Sequence, residues 1–322
     1  MNVKKLRRNV MIGLLLGMAV FFGLALYGEA PRVLGALSRF DWKLLPLVLG
    51  LTLLNYCLRW VKWGYYLRVL GIGPARPVES VLVFFSGLGM TMTPGKAGEW
   101  LKSVLLRQLY RTPVSHSAPI IIAERLSDGL AMLLLASVGA IAFRLGLEVL
   151  AAILFLGLAA VALVQSRGLT LRVLAGLDRV PLVKGYLPRI RTFYESIHLL
   201  LKWRTLGISV ALGFVSWFGE CLAFFLVLWG LGVQPSILLL LQATFILALA
   251  TLVGSVSMLP GGVGAAEGSI TVLLVSTVGL ASDLAVAATL LIRLCTLWFG
   301  VSVGLIAMGL LLKRMEIETE PR

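Results

Sequence analysis

Long blocks of apolar residues, separated by short polar stretches, run the length of the chain. Uninterrupted windows lie at roughly 10–27, 44–66, 117–143, 147–165, 205–230 and 284–312, each near the ~20 residues a helix needs to cross about 30 Å of hydrocarbon. Six crossings are predicted. Two further apolar segments, about 80–109 and 236–279, are each broken centrally by proline and glycine, in TMTPGKAGE at 91–99 and SMLPGGVGAAEG at 257–268. Their halves read as too short to span alone, so each segment is expected to enter and return as a helical hairpin. The predicted fold class is an all-α polytopic membrane protein, with six full spans plus two re-entrant helical hairpins.

Of 322 residues, 59% are hydrophobic, and 29 basic residues outnumber 15 acidic ones. The basic residues lie between apolar windows and form no face of a folded domain, which argues against nucleic acid and for membrane orientation. With the amino terminus inside, the cytoplasmic side holds Lys4, Lys5, Arg7, Arg8, Arg68, Arg76, Arg107, Arg111, the basic run from Arg167 to Arg204, Lys313 and Arg314. The outer side holds only Arg32, Arg39, Lys43 and Arg144, as the positive-inside tendency requires. Had each broken segment crossed once, the basic 167–204 connector would lie outside. The first window resembles a signal peptide, but Pro31 directly after Ala30 makes a poor cleavage site, so the helix is expected to be retained. Cys57, Cys221 and Cys295 all sit in apolar windows and read as small buried hydrophobes without disulfides. RIRTFYESIHLLLKWR, at 189–204, has an apolar stripe at helical spacing beside cations and reads as an interfacial amphipathic helix.

The two broken segments align. Pro94 and Pro260 differ by 166 positions, Arg125 and Arg293 by 168, Cys57 and Cys221 by 164. Each half then reads as a spanning helix, a re-entrant hairpin and a spanning helix bearing an arginine, and the charge-derived topology runs the halves in opposite directions. These are expected to be inverted-topology repeats, an architecture that places a site near the bilayer midplane. The chain divides into 1–43, a basic amino-terminal segment with the first helix and an outer loop; 44–143, repeat A; 144–204, a connecting helix and basic amphipathic cytoplasmic linker; 205–312, repeat B; and 313–322, a cytoplasmic tail.

Irregular backbone at membrane depth is tolerated only in protein or beside a wet cavity. Pro94, Gly95, Lys96, Gly98 and Glu99 at one break, and Pro260, Gly261, Gly262, Gly264 and Glu267 at the other, are therefore candidate substrate-binding residues. The helix following each turn would offer amide donors to a phosphate. Intramembrane charge adds Glu124, Arg125, Asp128, Glu220 and Arg293. Glu124 and Asp128 share a helix face, where a cation or Arg293 would relieve their repulsion. Arg59, Lys62, Lys96 and Lys102 are expected to snorkel to the inner interface. His116 and His198 suggest no metal site, and no nucleotide-binding or catalytic signature is present, so neither cofactor nor metal is expected.

PGKAGE, ERLSD and LPGGVGAAE together resemble the signature of the flippase-like membrane region of lysylphosphatidylglycerol synthases, over about residues 10–312. The resemblance implies a membrane region that moves a lipid between leaflets and implies that the motif residues line the route; the cytoplasmic (inner) membrane of a prokaryote is expected, with both termini cytoplasmic as the charge distribution indicates. Only ten residues follow Leu312, so the soluble aminoacyl-transfer domain is expected to be absent. The expected function is lipid translocation through a polar cavity at the repeat interface without an ATPase, and the expected partners are membrane lipids: phospholipid, glycolipid or polyprenyl-linked. A membrane-embedded lipid transferase, and a scaffold for a separately encoded synthase or glycosyltransferase, stay open as alternatives, as does homo-oligomerisation.

Overall fold

In a computed structural model, the structure describes residues 17–20, 22–24, 26–73, 76–93, 98–143, 147–168 and 185–319. Most of the first apolar window, Pro94, Gly95 and Lys96 of the first break, and residues 169–184 of the basic connector lie outside the described residues.

Among the described residues the chain is helical throughout and has no strand. A short helix α1 (Ala30–Ser38) and a 3-10 turn (Trp42–Leu44) lead into α2 (Leu45–Val69), followed by α3 (Pro77–Gly89), α4 (Leu101–Tyr110), α5 (Val114–Phe143) and α6 (Leu147–Gln165). After the connector come α7 (Leu187–Leu200), α8 (Trp203–Gly230) and α9 (Ile237–Val256). A single 3-10 turn (Pro260–Gly262) then precedes α10 (Ala265–Leu273), which ends in a π turn (Leu274–Val278). Helix α11 (Ser282–Arg293) passes through a second π turn (Leu294–Trp298) into α12 (Phe299–Thr319). Starts follow local chemistry. Proline opens α1, α2, α3 and α7, where its missing N–H costs nothing, and the Ser236 hydroxyl accepts the Leu239 amide of α9 at 3.0 Å.

The long helices are apolar on all sides because they face protein on one side and hydrocarbon on the other. Phe155, Ile237 and Val256 stand more than 70% exposed, an arrangement that water would penalise and lipid accepts. Inside, Phe224, Ile246 and Val286 anchor one core among α5, α8, α9 and α11, while Trp63, Tyr66, Phe84 and Leu200 anchor another among α2, α3, α5 and α7. Helices α2 and α8 are tied reciprocally: Asn55 Nδ2 donates to the Ser216 carbonyl at 3.0 Å, and Ser216 Oγ to the Asn55 carbonyl at 3.1 Å. Helices α3 and α12 cross at Gly89 and Gly304, where a Cβ on Gly89 would lie 2.9 Å from the Gly304 carbonyl carbon.

Five helices among the described residues are long and apolar enough to cross a membrane: 42–69, 203–230, 237–256, 260–278 and 282–315. This is a multi-pass membrane protein. Three expectations change. The arms of the first break are short, with 13 and 10 residues in α3 and α4, but those of the second have 20 and 19 residues, about 30 Å each. The second break divides a run long enough for two crossing arms, so its halves are not too short to span. Part of the apolar stripe of α7, with Ile197 and Leu200 buried, packs into the second core beside α5, so protein covers that part, while Ile190 and Phe193 stay half-buried. Of the three free cysteines, Cys221 and Cys295 are buried but Cys57 is exposed, because it faces outward from α2.

Candidate functional site

The two breaks meet. The Gly261 amide donates to the Thr91 carbonyl at 2.9 Å, and Met92, Val263 and Val301 form a small apolar cluster beside that junction. Gly261 and Gly262 adopt φ of 60° and 67°, left-handed values that glycine tolerates best. Gly262 also lies against the Gly254 backbone, 3.0 Å from where its own Cβ would stand. At the first break, the Gly98 amide donates to Thr93 Oγ1 at 2.7 Å.

Behind each break stands a glutamate–arginine pair. Arg125 of α5 grips Glu99 through two nitrogens, with Nε at 2.8 Å from Oε2 and Nη2 on Oε1. Arg293, the last residue of α11, donates from Nε to Glu267 Oε1 at 2.6 Å and from Nη2 to the Gly261 carbonyl at 2.9 Å. The other Glu267 oxygen accepts the Gly264 amide at 2.7 Å, capping α10. That carboxylate, 0% exposed, therefore occupies one of the amide donors proposed for a phosphate. Each pair spans 26 positions, and the second lies 267 − 99 = 168 residues after the first.

Lysines pair the remaining acids on α5. Lys62 bonds Asp128 and Lys102 bonds Glu124, and Lys102 also stands 4.6 Å from the Trp63 ring centre. Neither lysine snorkels: Lys62 is 1% and Lys102 7% exposed. A cation buried that far needs a carboxylate within reach. Glu124 and Asp128 are thus each relieved by a separate lysine, and Arg293 serves Glu267 instead. Arg59 stays inside as well. Its guanidinium lies 5.2 Å from the Trp217 ring centre and 3.8 Å from Asp128 Oδ2, and it makes no hydrogen bond among the described residues.

These groups surround a cavity of about 140 Å³, well above the ~10–15 Å³ a single water needs. Its polar wall is Arg59, Glu99, Arg125, Glu220 and Arg293, with Tyr56, Trp217, Gly261 and Gly262 beside them. Of the expected site residues, Glu99, Arg125, Glu220, Gly261, Gly262 and Arg293 thus line one cavity. Glu124 and Asp128 lie behind it, holding lysines. Glu267 and Gly264 position Arg293 and the turn, and buried Pro260 opens that turn. Gly98 packs against Met90 and Thr93. Sequence reasoning missed Arg59, Tyr56 and Trp217. The available signal for Arg59 was depth, since it is ten residues from the end of α2, about 15 Å along the axis and beyond the reach of a snorkelling side chain. Among the described residues no cluster of His, Cys, Asp or Glu is arranged to hold a metal ion; His116 instead bonds Ser196 at 2.7 Å.

The lysylphosphatidylglycerol synthase TM region matches residues 10–304. Two proteins of Methanothermobacter thermautotrophicus, each named UPF0104 membrane protein, are similar along most of the chain. One is 26% identical over 313 residues, covering 90% of each chain; the other is 24% identical over 274 residues, covering 77% of this chain and 79% of its own.

Proposed function

The chain belongs to the family of the lysylphosphatidylglycerol synthase TM region, and on that premise we propose that it is a lipid translocator. A polar headgroup crosses through the cavity at the junction of the two breaks while the acyl chains stay in hydrocarbon. The observation that carries this reading is the convergence of three guanidinium groups, Arg59, Arg125 and Arg293, on one polar cavity inside a helical membrane protein. A charged headgroup in hydrocarbon is costly unless fixed charges and dipoles replace its water. Glu99 and Glu267 take up two nitrogens of Arg125 and one of Arg293 respectively, orienting both side chains and leaving further N–H donors for an anionic group.

Reading the two halves as inverted-topology repeats supports the route. Repeat A (44–143) comprises α2 to α5 and repeat B (205–312) comprises α8 to α12, with corresponding first helices α2 and α8 packed together and corresponding ion pairs at equal spacing. Tyr56 and Glu220, which differ by the same 164 positions as Cys57 and Cys221, both line the cavity. The near-full length of the arms in repeat B leaves the orientation unchanged, because a hairpin and a pair of crossings both return the chain to the side it left. We place the protein in the cytoplasmic membrane of a prokaryote with both termini inside, from the charge distribution.

The test is lipid exchange in vesicles. Protein reconstituted in phosphatidylcholine containing a trace of fluorescent phosphatidylglycerol is expected to expose inner-leaflet fluorophore to an impermeant bleach. Arg59→Gln and Arg125→Gln are each expected to slow that exposure by ~10-fold or more, since a charge-assisted hydrogen bond contributes about 1.5–3 kcal/mol. Wild-type vesicles that bleach like empty ones, or variants all matching wild type, would defeat the reading.

A further inference from the structure

Every buried carboxylate among the described residues has a partner except one. Glu79 accepts from the Tyr110 hydroxyl, Glu99 and Glu267 hold arginines, and Glu124 and Asp128 hold lysines. Glu220 is 6% exposed and has neither a hydrogen bond nor an ion pair among the described residues. It sits on α8, 220 − 203 = 17 residues from one end and 230 − 220 = 10 from the other, about 26 and 15 Å along the axis. It lines the cavity. A structural carboxylate would be expected to be paired, as the other five are, because an unpaired buried charge costs several kcal/mol.

The groups facing it define what it can do. From α2 come Arg59 and Tyr56, from α5 Asp128, already held by Lys62, and from α11 Arg293, with Cys295 in the π turn beyond; the Glu99–Arg125 pair closes the cavity. Helix α9 contributes no titratable side chain, and Cys221 adjoins Glu220 on α8. Arg59 and Arg293 lie near enough to feel the Glu220 charge, yet neither forms an ion pair with it.

We propose that Glu220 is a proton-binding site that couples lipid movement to protons, a reading that rests on the translocator proposed above. Without substrate the ionised carboxylate offsets the charge of Arg59 and Arg293. An anionic headgroup, of the phosphate class that three guanidinium groups recognise, competes for that charge and repels the carboxylate. Glu220 then takes one proton from a hydronium ion in the cavity, whose O–H bond breaks to leave water as the carboxyl O–H bond forms, and it returns the proton to water when the headgroup leaves. Linkage makes the effect reciprocal: the anion favours the proton and the proton favours the anion. Higher pH ionises Glu220 and weakens anion entry, by at most tenfold per pH unit for one proton.

The experiment uses the full chain in phosphatidylcholine vesicles carrying fluorescent phosphatidylglycerol, assayed between pH 5.5 and 8 and under an imposed pH gradient. Wild type is expected to bleach more slowly as pH rises, and a gradient is expected to bias the leaflet distribution. Glu220→Gln, which keeps the shape without titrating, should lose the pH slope, and Glu220→Asp should retain one. Wild-type lipid movement that ignores both pH and gradient, or Glu220→Gln with the wild-type slope, overturns the proposal. Should Glu220→Gln be inactive at every pH, the wild-type gradient experiment decides: a biased distribution supports coupling and an even one refutes it. Wild type that moves no lipid at any pH defeats the translocator itself, a result distinct from movement without coupling.

Discussion

At the scale of single residues, the interior is organised by paired charges. Breaking a buried pair is costlier than never having built it, because the survivor stays uncompensated. Glu267→Ala strands Arg293 and uncaps α10, so a loss of ~3–5 kcal/mol is expected, read as a lower thermal-unfolding midpoint in detergent. The double variant Glu267→Met, Arg293→Met should recover most of that stability while losing lipid movement; a double variant as unstable as the single one would argue against simple pairing. Lys62→Met should free Asp128 to draw Arg59, now 3.8 Å away, out of the cavity, slowing lipid exchange more than it lowers stability. The acids and Arg125 were legible in the sequence because charge inside an apolar window is conspicuous. Their lysine partners were not, since a cation near a helix end reads equally well as snorkelling. The isolation of Glu220 could not be read at all, because a missing partner is a fact of three-dimensional packing.

At the scale of elements, small residues set how closely helices approach. Helices α3 and α12 touch backbone to backbone at Gly89 and Gly304, while Gly309, farther along α12, has open space where a Cβ would stand. Gly304→Leu is therefore expected to disrupt the crossing and reduce the monodisperse fraction on size-exclusion chromatography in detergent, whereas Gly309→Ala should elute like wild type. Equal behaviour of the two variants would contradict close packing at Gly304. Helix positions followed readily from the apolar blocks, and the breaks from proline and glycine. The arms of the second break were misjudged because a turn inside an apolar run looks the same whether it halves a short segment or separates two full-length ones. The stripe on α7 was correctly read as amphipathic, but periodicity does not say whether lipid or α5 covers it.

At the scale of the whole molecule, one arrangement is repeated: a break, a glutamate just beyond it, and 26 positions later the arginine that holds it. The repetition was visible in the sequence as offsets of 164 to 168. That the two breaks touch through Gly261 and Thr91 was not, because no sequence spacing specifies a contact between halves. The account rests on these breaks reaching one cavity from opposite aqueous faces. The most direct measurement is labelling with a membrane-impermeant thiol reagent of single cysteines placed at Trp100 and Met258, exposed positions flanking the two breaks, in a background lacking Cys57, Cys221 and Cys295. With α9 and α10 ending at the cavity and not at the far face, the account predicts labelling of position 100 only from the cytoplasmic side and of position 258 only from the outside; labelling of both from the same side alone would contradict it.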